Sequence, residues 1–593
     1  MRLPCDTDPG THVADFKSVD PNNVEGNPLK HLTFAIALLS GTQSWAQTGN
    51  LIRNANFERQ SNKAITDWTS SCSVPVRLTT TTAKFDRTSL EIVDERTDRA
   101  CVAYSRPFEV APGKTYSIEG WARHADLNAT NSSPSYYVKF YNSSGTEIGT
   151  SSAAVSGNSG VWTKFSRTVT APAYSVSAKL LLYSNIAASQ IVQFDGIYVA
   201  QARTAPAGEV IRYVAPAAIG RGDGTSAGNA AKFNNSSFWS GVQSLLSSKP
   251  VQVSFRAGQY VISAPTDALT LTRIGHQTNR LSIAGADANS VRIISGSASS
   301  ASLPHLIRVD NSQNITFSNI HLRTLSAFDV GYLFLITNNS TNIRLENLTS
   351  VDTMRVGYGV LGFHQGSNAI NLVGSEFLRV GYDGHQHFLY NFRDVSDITI
   401  ANSVFEDSTG AYIRCRDQCS DFNVLESSFR ATGAWGSANE FRYAHFIELA
   451  VFNDVLYSGR SSQSQQEWFL SGFTAIGNSF EYAAALGVRA KPFSIHHSGF
   501  NPWDGTQFRD HLFSSTDASV LTSGTASAKR QLILSKFKLN MATQFEIHSN
   551  TYSNMTYKFE LESQASYGAS SYYPIADHVG SGTYDISDLF PWP

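Results

Sequence analysis

Between Ile315 and Phe429 the chain repeats one short phrase: "NITFSNIHL", "NIRLENLTS", "AINLVGSEF", "DITIANSVF" and "DFNVLESSF". The second residue of each copy is an apolar anchor, with another apolar residue two places on and a third at five or seven. The anchors are Ile315, Ile343, Ile370, Ile398 and Phe422, at steps of 28, 27, 28 and 24 residues. A near-constant period of this size marks stacked repeats, and alternation within the phrase makes each unit a strand. The expectation is a right-handed parallel β-helix. Each rung hides its apolar edge against the next, and strand faces alternate between interior and solvent. The outer face of such a stack is a long groove, suited to a linear polymer rather than a small metabolite.

A chain of 593 residues implies more than one domain. Its formal net charge of -2 supplies no strong field for nucleic acid or an anionic membrane, so neither is expected as a partner. Charged residues make up 16% and apolar ones 41%, a balance that supports a packed core and excludes a disordered chain. The expected partner is a polymer, met by a monomer.

Lys30 and His31 precede the apolar run "LTFAIALLSG" and the small residues Ser44 and Ala46. This reads as an export signal cleaved before Gln47, preceded by an extension without apolar period, and it predicts a secreted, extracellular or periplasmic protein. The run is too short to span a bilayer. The expected divisions are 1–46 for the signal, 47–201 for a β-sandwich, 202–218 for a linker, 219–490 for the β-helix, and 491–593 for last rungs, loops or an appendage. The stretch "FWSGVQSLLSS" is expected as a helix capping the first rung, because a bare rung is an exposed sheet edge. Cys72 and Cys101 fall in one domain, and Cys415 and Cys419 in "CRDQC"; both pairs are candidates for disulfides in an oxidising compartment. Zinc is not expected, since no matched second pair accompanies them.

The segment after the signal opens with "NLIRNANFE", runs through short alternating strands such as "YYVKFYNSSG", and closes with "VQFDGIYVA". The pattern predicts an antiparallel sandwich. Tyr137 and Tyr141 share one face of their strand with Lys139, which directs that face to solvent and makes them candidates for stacking on sugar rings. These motifs resemble the jelly-roll carbohydrate-binding modules that accompany polysaccharide-degrading enzymes. The resemblance implies a structural calcium held by Glu58 in "NFE" and Asp195 in "FDGI", carboxylates of the kind calcium requires.

Within the rungs, the residue four after each anchor is Asn319, Asn347, Gly374, Asn402 or Glu426, read as a stacked amide ladder at a turn. Counting back from the anchors gives an inward set, Phe334/Ile336, Leu361/Phe363, Leu389/Asn391 and Ile413/Cys415. The outward set contains Gly362/His364, Tyr390/Phe392 and Arg414/Arg416. The expectation is one outer column of His364, Tyr390, Arg414 and Arg416, with Arg393 at its edge and Tyr358, His385 and His387 in adjoining turns as substrate-binding residues. Arginines supply bidentate donors to a uronate carboxylate, and His or Tyr can move protons. Such a column suits cleavage of an acidic polysaccharide by β-elimination, where an enolate-like charge must be stabilised.

The chain here resembles the chondroitinase-B and alginate-lyase family of β-helix polysaccharide lyases. That family carries a catalytic Lys five residues before one anchor and a catalytic Arg six before the next, which correspond to Arg393 and Arg416. Arg393 departs from the Lys, and the family's calcium carboxylates fall on Gln386 and Phe388, so its metal site does not carry over. Other readings stay open at this point: a hydrolase using Glu448 and Glu467, a C5-epimerase, or a non-catalytic polysaccharide-binding protein.

Overall fold

A computed structural model of the chain describes residues 50–573, apart from several short loops and the longer segments 436–444, 452–470, 484–490 and 498–544. The export signal, Cys72, His385 and Glu467 lie outside the described residues. Among those described, no helix is long and apolar enough to cross a membrane.

Nearly all regular structure is β. Strands between Trp68 and Gln201 form two antiparallel sheets packed face to face, and Gln60–Ser61 with Ala64–Ile65 makes a small separate hairpin. Strict alternation builds them: Ser135–Tyr141 buries Tyr136, Val138 and Phe140 and leaves Tyr137, Lys139 and Tyr141 half-exposed. Across the core Tyr136 stacks on Phe165 at 4.4 Å between centroids.

From Val210 the described residues run instead into two long sheets, of eighteen and ten strands, parallel except where Phe559–Ser563 meets Ser570–Tyr573 antiparallel, and the chain passes repeatedly from one to the other. Val330–Thr337, Val356–His364, His387–Phe392 and Ile413–Arg416 lie side by side in one; Thr341–Thr353, Asn368–Val373, Val395–Ala401 and Cys419–Leu425 lie in the other. The anchors pair in register, with Ile315 opposite Ile343, then Ile370, Ile398 and Phe422. Two further anchors, Phe473 and Phe545, continue the column beyond the five repeats read from the sequence. Seven places after successive anchors stand Phe377, Phe405, Phe429, Phe480 and Tyr552, whose rings stack at 5.6, 5.0, 5.1 and 5.5 Å. This interior aromatic stack holds neighbouring repeats together.

The sheet begins earlier than the sequence suggested. Val210–Ala215 pairs in parallel with Val251–Phe255, so part of the segment read as a linker is a strand. Pro206 and Pro216 flank this strand without interrupting it, where a missing N–H is tolerated. Helix Ser236–Leu246 follows, N-capped by the Asn235 side chain, and buries Trp239, Val242 and Leu246 against the first repeats.

The recurrent turn residue has a reason beyond an amide ladder. Asn319, Asn347, Gly374, Asn402 and Glu426 all take positive φ, between 48° and 59°. Gly adopts this left-handed conformation freely and Asn at little penalty. Asn347 Nδ2 does donate to Asn319 Oδ1 at 2.8 Å. The longer ladder, however, lies one residue later. The amides of Ser375 and Ser403 each donate to the next Ser Oγ at 3.2 Å, and those of Ser427 and Asn478 to the next Asn Oδ1 at 2.9 and 2.8 Å. Glu426 is the misfit in the positive-φ column. Glu426→Asn should therefore raise stability by about 1 kcal/mol, the left-handed penalty an Asn largely avoids. Chemical denaturation of the two proteins checks this, and a loss of stability would contradict it.

Buried ion pairs join the sandwich to the larger parallel sheet. Arg59 Nε meets Glu406 Oε2 at 2.9 Å, Arg379 Nη2 meets Glu58 Oε2 at 2.9 Å, and Arg292 Nη2 meets Asp86 Oδ1 at 2.8 Å. Arg430 and Asp67 extend the first of these and Asp352 the second. Cys415 and Cys419 form a disulfide, and Cys101 is also disulfide-bonded.

Candidate functional site

The outer face of the ten-stranded sheet carries the residues singled out from sequence, in an arrangement that differs from a single column. Register puts Gly362, Tyr390, Arg414 and Glu448 in one row across neighbouring strands. His364, Phe392 and Arg416 form a second row beside it. The two rows arise because strand residues two apart share a face. The inward partners Phe334, Ile336, Leu361, Phe363, Leu389, Asn391, Ile413 and Cys415 are fully buried, as the alternation required.

The rows meet at Tyr390. Arg416 Nη1 donates to Tyr390 Oη at 3.0 Å, and its guanidinium lies over the Phe392 ring at 5.0 Å. Arg414 Nε donates to Glu448 Oε2 at 2.6 Å. Burial works against the Arg414 charge, but the Glu448 carboxylate more than offsets it, so the pKa of this arginine is raised and it stays cationic. Glu448 is itself buried, and an anion held in this pair is poorly placed to donate a proton.

The histidines take other roles than those expected. The His364 ring is packed edge-on against Tyr332 at 4.8 Å and Phe392 at 5.6 Å, and its Nε2 is shut off from solvent without a hydrogen-bond partner. Burial pushes its pKa down to about 3, against a hydrogen bond to the Tyr390 backbone. His364 is therefore neutral near neutral pH and serves as packing, not as the proton carrier the sequence suggested. His387 does not lie in a turn. It opens the strand His387–Phe392, is buried, donates from Nδ1 to the Ala411 carbonyl at 2.5 Å, and stacks on Tyr390 at 5.3 Å. It backs the tyrosine instead of facing a ligand. Arg393 lies in the turn leaving that strand, at φ 67°, with its amide donating to the Arg416 carbonyl at 3.1 Å.

Tyr332 escaped the sequence reading. It stands on the inward parity of its strand, yet its ring turns onto the outer face, between Tyr358 at 5.5 Å and His364. Gly362 makes room: a Cβ there would lie 2.7 Å from the Tyr332 ring. That glycine opposite Tyr390 was the one signal available. Tyr358 lies within the strand Val356–His364 and not in a turn; it is 51% exposed and lies 6.2 Å from Tyr390.

On the sandwich, Tyr137 packs on Tyr183 at 4.4 Å, and Lys179 approaches the Tyr141 ring at 5.7 Å. Tyr104 lies on the same sheet, since it and Tyr137 both stand opposite Leu181 on either side of that strand. Lys139 is paired with Glu147 at 2.8 Å. The result is a tyrosine-lined face with two lysines.

Glu58 and Asp195 do not offer a calcium ion its oxygens as they are arranged here. Glu58 Oε1 accepts from the Arg87 and Thr88 amides at 2.7 Å, and Oε2 is taken by Arg379. Asp195 Oδ2 accepts from the Lys84 and Phe85 amides at 2.8 and 2.9 Å, and Oδ1 from Gly196 at 2.7 Å. N–H donors occupy the directions a cation would use, so these residues do not fit the ion. Among the described residues no group of three or more His, Cys, Asp or Glu is arranged to hold a metal.

Residues 49–189, the sandwich, match a family model described as a carbohydrate binding domain. Similar solved structures include a family 16 carbohydrate binding module-2, at 15% identity over 26% of this chain and 100% of that one, with a TM-score of 0.21. The CBM22-1 xylan-binding domain of Paenibacillus barcinonensis Xyn10C is 16% identical over 27% of this chain and 99% of its own, with a TM-score of 0.21. TmCBM61 in complex with beta-1,4-galactotriose is 13% identical over 26% and 99%, with a TM-score of 0.19. No curated protein matches the chain.

Proposed function

We propose that this chain is an exported polysaccharide lyase that binds a uronate-containing polymer and cleaves it by β-elimination. In this reading the two parallel sheets wind as a right-handed β-helix whose outer groove holds the polymer, and the tyrosine face of the sandwich holds a further part of the same kind of chain. The observation that carries the reading is the Arg416–Tyr390 hydrogen bond of 3.0 Å beside the cationic Arg414, on an outward sheet face.

The chemistry follows from those groups. Tyr390, as phenolate, takes the proton from C5 of the uronate, and Arg416 stabilises the phenolate before transfer. The electron pair left on C5 is drawn toward the carboxylate as an enolate, stabilised by the positive field of Arg414 and Arg416. The C4–O bond then breaks, a C4–C5 double bond forms, and the leaving oxygen takes a proton from Tyr390 or water. Glu448 holds Arg414 in place. Glu448, paired with Arg414, is poorly placed to be the acid of a hydrolase.

Incubation with alginate, glucuronan, pectate and glycosaminoglycans tests the proposal. At least one polymer should yield ultraviolet-absorbing unsaturated ends. Tight binding of a polymer with no new ends of any kind would establish a binding protein instead, a reading favoured by the fact that Arg414 already has a carboxylate partner.

A further inference from the structure

We infer that Tyr358, backed by Tyr332, is a sugar-stacking platform that holds the pyranose ring next to the uronate cleaved at Tyr390; the inference rests on the lyase reading above. Tyr358 is 51% exposed although it is a large aromatic on a sheet whose other rings are mostly covered. Its ring lies near-parallel to Tyr332, at 5.5 Å and 23°, and Tyr332 is only 7% exposed. The inner tyrosine is in turn fixed by the edge of His364 and by the space above Gly362, where any side chain would strike it. An exposed ring with a rigid backing presents a flat apolar face without the ordering entropy a loose side chain would lose on binding.

The spacing matches a polymer. Tyr358 and Tyr390 have centroids 6.2 Å apart, on the order of one sugar residue, so a ring over Tyr358 leaves its neighbour over Tyr390 and the arginines. The two positions differ in chemistry. Around Tyr390 Glu448 balances Arg414, and the net positive charge that selects a carboxylate comes from Arg416. Around Tyr358 the surface is aromatic, and selects the C–H face of a pyranose whatever its charge. The groove thus demands a uronate at one position and only a stackable ring at the next.

Such contact is made equally in the ground and transition states, so its loss raises KM and leaves kcat. On oligouronates prepared from the responsive polymer and long enough to cover both positions, Tyr358→Ala should raise KM about tenfold, with kcat within twofold of wild type. That factor corresponds to about 1.4 kcal/mol, at the upper end for an aromatic contact. Tyr358→Phe should restore wild-type KM, since the ring and not the hydroxyl is used. Wild-type KM for Tyr358→Ala on the long substrates, or an equal fall in kcat, would overturn the platform. If the wild-type protein forms no unsaturated product, the lyase reading fails, and calorimetric titration with the same polymers then decides the platform alone. Weaker binding by Tyr358→Ala but not by Tyr358→Phe keeps it, and equal binding by all three proteins removes it.

Discussion

Arg416→Ala and Tyr390→Phe should each lower turnover on the responsive polymer by about two to four powers of ten, the range for loss of a group that moves or steers a proton. The second substitution removes a single oxygen. It keeps the ring that stacks on His387 at 5.3 Å and deletes only the Oη that Arg416 reaches at 3.0 Å. Its melting temperature should therefore stay close to wild type, while the rate falls. Arg416→Ala removes a half-buried cation from the outer face and leaves the inward row, including Ile413 and Cys415, untouched. Because the two groups act as one unit, the double variant should be little worse than either single one. Steady-state kinetics with thermal unfolding of the same samples checks this. Near wild-type turnover in both single variants would show the face to be an ordinary solvated one.

The second large effect is on stability. Glu406→Ala should destabilise the protein by about 3 kcal/mol, because it removes the buried anion shared by two arginines and leaves Arg59 only Asp67 at 3.3 Å and Arg430 only Glu481 at 3.4 Å. Glu406 accepts from Arg59 at 2.9 Å and from Arg430 at 3.3 Å, and all three side chains are at most 10% exposed. Arg59 belongs to the sandwich and Arg430 to the parallel sheet, so the loss falls where the two meet. Arg221→Ala, which breaks the solvent-exposed pair with Asp223 at 3.1 Å, should change little. Chemical denaturation of both variants makes the comparison, and equal, small effects would mean that the buried pairs do not secure the sandwich to the sheet.

The repeat was legible because its anchors obey two constraints at once, a period along the chain and an alternation within each strand. Ile315, Ile343, Ile370, Ile398 and Phe422 indeed stand opposite one another. Phe473 and Phe545 were lost to the eye because long insertions separate them from the earlier anchors, although "FTAIGNSF" repeats the pattern. The inward and outward sets were also readable, since parity along a strand suffices. What parity cannot give is lateral register. Hence His364, Tyr390, Arg414 and Arg416 were placed in one column where register makes two.

Burial was the other hidden quantity. Nothing in "VLGFHQG" announces that His364 is enclosed by Tyr332 and Phe392, because Tyr332 lies a full repeat away and on the wrong parity. Glu448 was noticed only as an acid, and its pairing with Arg414 required the register of the next strand. Glu58 matched a motif in type and place, yet its partner, Arg379, comes from the other half of the molecule. Motif reasoning reads ligands from one domain and cannot see a cation brought in by another.

One stoichiometry tests the central claim most directly. On the polymer that responds, unsaturated uronate ends, followed by ultraviolet absorbance, should appear in a one-to-one ratio with new reducing ends, and Tyr390→Phe should suppress both together. Reducing ends that accumulate without unsaturation would mean water and not elimination breaks the bond, and would contradict the role given to Tyr390 and its arginines.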